Sequence, residues 1–119
     1  MHQHHSLYRH GVPARSVVIG VLEGVEVKDG HSKREQMVGR WEVPQETPDL
    51  KVFYDVTARV EFDDGQTAHH GERLWRRQVG ACVVGDVLPV RYDRQNREMI
   101  VFDLPELEAS RYSPKERVQ

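Results

Sequence analysis

At 119 residues the chain is sized for one domain, long enough to bury roughly two-thirds of the surface its unfolded form exposes. Charged residues are 30% and apolar residues 38%, and 19 acidic against 17 basic side chains leave a net charge of −2, so no global field recruits nucleic acid or anionic lipid. The single cysteine, Cys82, excludes an internal disulfide and a paired-cysteine zinc site, which is compatible with a reducing compartment.

The longest apolar run, residues 17–22, falls far short of the ~20 needed to span a bilayer. The opening "MHQHHSLYRHG" lacks a hydrophobic signal region. These features predict a soluble, cytoplasmic chain. Residues 1–10 read as a flexible polar lead-in. Pro13 then leads into "ARSVVIGVLEGVEVK", where Val17, Ile19, Val21, Val25 and Val27 share one face at strand period, with Glu23 out of place. Gly20 and Gly24 fall on the opposite face, where a bend, a bulge or a close backbone neighbour accounts for them.

"DGHSKREQ" reads as a loop, and "MVGRWEV" as a short strand with Met37, Trp41 and Val43 along one side. Pro44 and Pro48 bracket a connection. The clearest strand is "KVFYDVTARVEF": Val52, Tyr54, Val56, Ala58, Val60 and Phe62 point one way, opposite a polar face interrupted by Phe53. Asp64-Gly65 is a strong hairpin signal. The return, "TAHHGERLWRR", admits two registers. A two-residue turn sets Val60 against His69 and Tyr54 against Trp75. A three-residue turn places Ala68, His70, Glu72 and Leu74 on the core face. Neither is cleanly apolar, which predicts an edge strand, a bulge near Gly71, or departure from the sheet.

"VGDVLPVRYDRQNREMIVFD" reads as a hairpin. Leu88, Val90 and Tyr92 form one face, with Val87, Pro89, Arg91 and Asp93 on the other. "DRQN" turns with Asn96 suited to a left-handed conformation. Ile100 and Phe102 then oppose Met99 and Val101. Pro89 predicts an edge position or a strand end, because it cannot donate to the ladder. Pro105 suits the first turn of a short helix ending near residue 112. The expectation is a mainly β fold: a small antiparallel barrel or curved roll of five to six strands over residues 11–104. Residues 105–119 add a short C-terminal helix and a disordered tail.

Two segments, "LYRHGVPARSVVIGVLE" and "VGDVLPVRYDRQN", together resemble the opening and closing signatures of a family of small bacterial β-barrel domains of unknown function. The shared features are Gly11, Pro13 and Ala14 before a long first strand, the Asp64-Gly65 turn, and Gly85 followed by Val90, Arg91, Tyr92 and Asp93. Arg94 and Arg97 stand where the family often has prolines. The resemblance implies the barrel fold and a role that is often membrane-adjacent, and it implies no catalytic residues.

Several residues invite chemistry. His69 and His70 are adjacent, so on a strand they point to opposite faces and one zinc cannot readily take both; His31 or Cys82 joining them would need loops to converge. His2, His4 and His5 bind metal only as any histidine-rich tail does. Cys82 lies among small apolar residues that make a thiol inert. Glu72, Asp86 and Asp93 have simpler roles as surface or turn carboxylates than as an acid–base pair. No glycine-rich phosphate loop precedes a helix, and no serine occupies a nucleophile elbow.

The densest cluster is "ERLWRRQ", with Arg73, Trp75, Arg76 and Arg77, which Arg91, Arg94 and Arg97 join if the last hairpin packs nearby. Arginine beside an aromatic serves both protein hot spots and single-strand nucleic-acid grooves. The bland alternative is Trp75 capping the core while the arginines pair with Glu72 and other acids. The sequence therefore predicts a non-enzymatic module, without metal or cofactor, that binds a protein partner or itself. Strand addition is expected at edges flanking Gly71 and Pro89. The alternative is a nucleic-acid or small-ligand barrel using the Arg73/Trp75 region, which the acidic balance disfavours.

Overall fold

The structure, a computed structural model, describes residues 2–38 and 45–111. Its spine is β1 (Val12–Asp29), an 18-residue strand that takes three antiparallel partners. Along one edge it pairs with β3 (Leu50–Glu61). Along the other it pairs through residues 12–17 with β5 (Val87–Asp93) and through residues 24–29 with β2 (Ser32–Met37). Outside these lie β4 (Thr67–Trp75), next to β3, and β6 (Asn96–Phe102), next to β5. The sequence leads to a mainly β barrel or curved roll of five to six strands; the fold is mainly β, with one six-stranded antiparallel sheet that is not closed, consistent with the roll.

The core face of β1 changes parity midway. Before the break the inward residues are Ser16, at 0% exposure, and Val18, at 1%. A register shift against β3 between Val18 and Gly20 inserts one residue, and after it Val25 is buried while Val21 and Val27 pack against the core. A β-bulge does this because one unpaired residue exchanges the two faces. Val17 and Ile19 are therefore corrected from the core face to the outside, and Ile19 is 42% exposed.

Every core residue assigned to β3 is buried, as are Leu88, Val90 and Tyr92 of β5. The β3–β4 register is Val60 opposite Ala68 and Tyr54 opposite Leu74, the three-residue-turn alternative. Gly65 adopts φ +84° and donates its N–H to the Phe62 carbonyl at 3.0 Å. This left-handed residue after the turn is what a three-residue hairpin loop requires. Leu74 is thereby fully buried, and Trp75 opposes Phe53 on the outer face instead of capping the core.

Three local expectations need correcting. "SKREQ" is a strand: β2 pairs with β1 across a two-residue turn at Gly30 and His31, although all six of its residues are exposed. Backbone pairing holds it without apolar burial, so no apolar period announces it. Trp41, Val43 and Pro44 lie outside the described residues. No non-glycine among the described residues has positive φ; Asn96 instead accepts the Glu98 N–H on its side chain at 3.1 Å. Pro89 sits in an interior strand. Its carbonyl accepts the Asp103 N–H at 2.9 Å, so its missing donor points to where β6 ends, which the fold tolerates.

The lead-in carries a helix. Residues 2–10 form α1 (His2–His10), which packs on β5 and β6, with Leu7 buried. That helix covers the outer side of the last hairpin, where Val101 is 1% exposed although it lies outside the main core. A one-turn helix, α2 (Arg76–Val79), ends β4, and α3 (Leu104–Arg111) follows β6 with Pro105 in its first turn. The Asp103 carboxylate caps α3 by accepting the Glu106 N–H at 3.2 Å.

Gly24 tests the packing of the outer face. A Cβ there would lie 2.3 Å from the Phe53 ring, whereas one at Gly20 would have its nearest neighbour at 3.9 Å. In urea unfolding, Gly24→Ala is expected to cost about 1–3 kcal/mol by overpacking, and Gly20→Ala to change stability by less than about 0.5 kcal/mol. Equal effects at the two sites would contradict the packing described.

Candidate interaction surface

The predicted Arg73/Trp75 cluster forms around Phe53, which is fully buried on the outer face of β3. Gly24 lies under its ring, Trp75 meets it edge-on at 5.7 Å, and the Arg73 guanidinium stacks 3.7 Å above it. Arg73 also donates twice to Asp55, at 2.7 and 3.1 Å, and once to Glu35 on β2. These bonds, Asp55 first and Glu35 second, hold its pKa above the usual guanidinium value. Planar, bidentate arginine suits this position. It ties β4 to β3 and reaches across β1 to the otherwise exposed β2.

The remaining arginines disperse. Arg76 and Arg77 lie on α2, where Arg76 Nε donates to the Tyr54 hydroxyl at 3.2 Å and Arg77 lies 5.9 Å from the Trp75 ring centre. Arg91 donates to Asp103 at 2.8 Å and to the Gly11 carbonyl at 2.9 Å. Arg97 reaches the Asp64 carboxylate in the β3–β4 turn at 2.8 Å and lies 4.5 Å from the Phe62 ring centre. The Gln66 N–H first, and Arg97 second, hold the Asp64 carboxyl below its usual range. The six arginines weighed together in the sequence thus form no single patch.

His69 and His70 do point to opposite faces, His69 exposed opposite Arg59 and His70 half-buried opposite Ala58. His70 Nε2 is hydrogen-bonded to Glu72 at 2.7 Å, and its ring packs edge-on against Phe102 at 4.9 Å. The same Glu72 oxygen accepts the Phe102 N–H at 3.2 Å. Glu72 therefore faces His70 and β6, not the arginines. It forms a side-chain seam between edge strands β4 and β6, where a closed barrel would have backbone pairing. Near it, burial first and Glu72 second raise the Tyr8 pKa.

His31 lies in the β1–β2 turn, and among the described residues no group of three or more His, Cys, Asp or Glu side chains is placed to hold a metal ion. Asp86 accepts the Val83 N–H at 3.0 Å and Asp93 the Gln95 N–H at 2.9 Å, both turn roles. Cys82 is 4% exposed, and burial, helped by Asp86, pushes its thiol up to about 11. No helix among the described residues is long and apolar enough to cross a membrane.

The feature that sequence reasoning missed lies along β1 between its β5 and β2 pairings. There the loop of residues 80–86 comes alongside: Val18 N–H donates to the Asp86 carbonyl at 2.9 Å and Gly85 N–H to the Val18 carbonyl at 2.8 Å. A groove of roughly 580 Å³ results, lined by Val21, Leu22, Glu23, Met37, Val38, Cys82, Val83 and Val84. Leu22, Met37, Val83 and Val84 are 52–64% exposed on its rim, and Ile19 and Val87 are exposed nearby. "VV" at 83–84 and the bulge-prone Gly20 were the available signals, but alternation assigned Ile19 inward and left Val83 and Val84 as mere neighbours of Cys82.

Comparison of the chain with protein-family models, with curated proteins and with solved structures finds no match. The functional reading therefore rests on the residues themselves.

Two measurements check this geometry. Glu72→Ala strands the buried Phe102 N–H and is expected to cost about 2 kcal/mol, while Glu72→Gln, which keeps an acceptor, loses clearly less; equal losses would rule out the seam as described. For Cys82, between about 9 and about 11 the unfolded chain has released a proton that the folded chain keeps. Stability should therefore fall as pH rises through that window. Urea midpoints at both ends should show a smaller drop in Cys82→Ala than in the parent.

Proposed function

We propose that this chain is a non-catalytic module that docks another protein onto the apolar surface beside the β1 bulge. The observation that carries the reading is the gathering of exposed large apolar side chains, Ile19, Leu22, Met37, Val83, Val84 and Val87, around one stretch of β1. Single exposed apolar residues are ordinary, whereas a contiguous patch rimmed by polar residues marks a contact surface. The internal engagement of Arg73 by Asp55, Glu35 and Phe53 favours a bracing role for that arginine over nucleic-acid recognition. Strand addition at β4 is a weaker route, since Glu72 and His70 already turn that edge towards β6.

The test is retention on immobilised chain, with the parent compared with the double variant Val83→Asp, Val84→Asp. The expected result is a protein partner held by the parent and lost by the variant, with the two unfolding midpoints within about 0.5 kcal/mol of each other in stability, as befits exposed positions. Identical retention by both columns would count against the proposal.

A further inference from the structure

We infer that Asp29–Gly30, at the β1–β2 turn, is a modification site where the folded protein forms a succinimide and then isoaspartate, while the same dipeptide at Asp64–Gly65 is held inert. The inference is independent of the docking reading above. The chain contains two Asp-Gly pairs, and both lie exposed at hairpin turns. Glycine has no side chain to screen its amide nitrogen, so that nitrogen can attack the carboxyl carbon of the preceding aspartate. A C–N bond closes a five-membered imide, and the amide proton and the carboxyl hydroxyl leave together as water. Hydrolysis adds one water back. Attack at the side-chain carbonyl restores aspartate, and attack at the main-chain carbonyl leaves isoaspartate, with the backbone running through the side-chain methylene.

The two sites differ in how firmly the reacting atoms are held. At Asp64 one carboxylate oxygen accepts the Gln66 N–H at 3.0 Å and the other accepts from Arg97 at 2.8 Å. The Gly65 nitrogen faces the Phe62 carbonyl at 3.0 Å instead of the carboxyl carbon. The same bonds, Gln66 first, favour the ionised carboxylate, whose oxygen is a poor leaving group. The Asp29 side chain makes no hydrogen bond or ion pair among the described residues, and the Gly30 N–H has no backbone acceptor among them. Ring closure there needs Asp29, the last residue of β1, to rotate out of its extended conformation. That local opening costs little, because β2 buries none of its side chains and few apolar contacts resist it.

Modification also acts on the fold. Isoaspartate adds one carbon to the backbone beside a two-residue turn that sets Asp29 opposite Ser32. Turn length fixes hairpin register, so β2 loses its pairing with β1, and Glu35 leaves the Arg73 guanidinium.

The test ages the full chain for weeks at mildly acidic pH, either folded in buffer or unfolded in urea. Isoaspartate is then located by peptide mass spectrometry with electron-transfer fragmentation. In the folded chain it should accumulate at Asp29 about tenfold faster than at Asp64, reflecting the difference in local opening. In urea, which removes the bonds around Asp64, the two sites should react at comparable rates. Equal rates in the folded chain, faster reaction at Asp64, no isoaspartate at Asp29, or a gap that persists undiminished in urea would each overturn the inference. Amide exchange of the aged folded chain should show the isoaspartate fraction losing protection across β2, and protection retained there overturns the effect on pairing.

Discussion

One inserted residue in β1 governs the architecture. The bulge between Val18 and Gly20 lets a single long strand present Ser16 and Val18 inward at its start, and Val21, Val25 and Val27 inward beyond. Without it, the parity that buries Val18 would turn Val25 outward. The β1 edge opposite β3 is shared by β5 and β2 on either side of the bulge, and the interval between them is where the loop of residues 80–86 comes alongside. The exposed apolar surface of the molecule is a direct consequence of that interval.

The sheet curls without closing, so side chains take over what backbone pairing does in a closed barrel. Glu72 spans from His70 to the Phe102 N–H at one point of the gap between β4 and β6, and Arg97 reaches Asp64 at another. Unpaired edges invite association with other strands, and these contacts blunt both edges at once. On the outer face, Arg73 stacks on Phe53 and holds Asp55 and Glu35, fastening a β2 strand that buries nothing of its own. Arginines that resemble a recognition surface in the sequence thus serve largely as internal braces.

This distribution moves the candidate site from charge to apolar contact. The guanidinium groups of Arg73, Arg91 and Arg97 each meet a carboxylate of their own chain. Leu22, Met37, Val83 and Val84 have no comparable cover among the described residues. Cys82 lies beneath this surface as a buried thiol with a raised pKa, which fits a packing role better than a nucleophilic one.

By itself the sequence determined the mainly β class, the inward faces of β3 and β5, the Asp64-Gly65 turn and the terminal helix. Each is written in local patterns: period-two alternation, a glycine able to take positive φ, and a proline in a first turn. It left the β3–β4 register open because Ala68, His70, Glu72 and Leu74 carry no clean alternation; burying Leu74 against the core chose between the two. It hid β2, held without apolar burial by backbone pairing and the Glu35–Arg73 contact, and α1, whose Leu7 finds its place only against the last hairpin. The exposed groove was hidden for the same reason that Ile19 was misplaced. A bulge is a relation between two strands, and its effect on which side chains meet water exists only once β1 and β3 are paired.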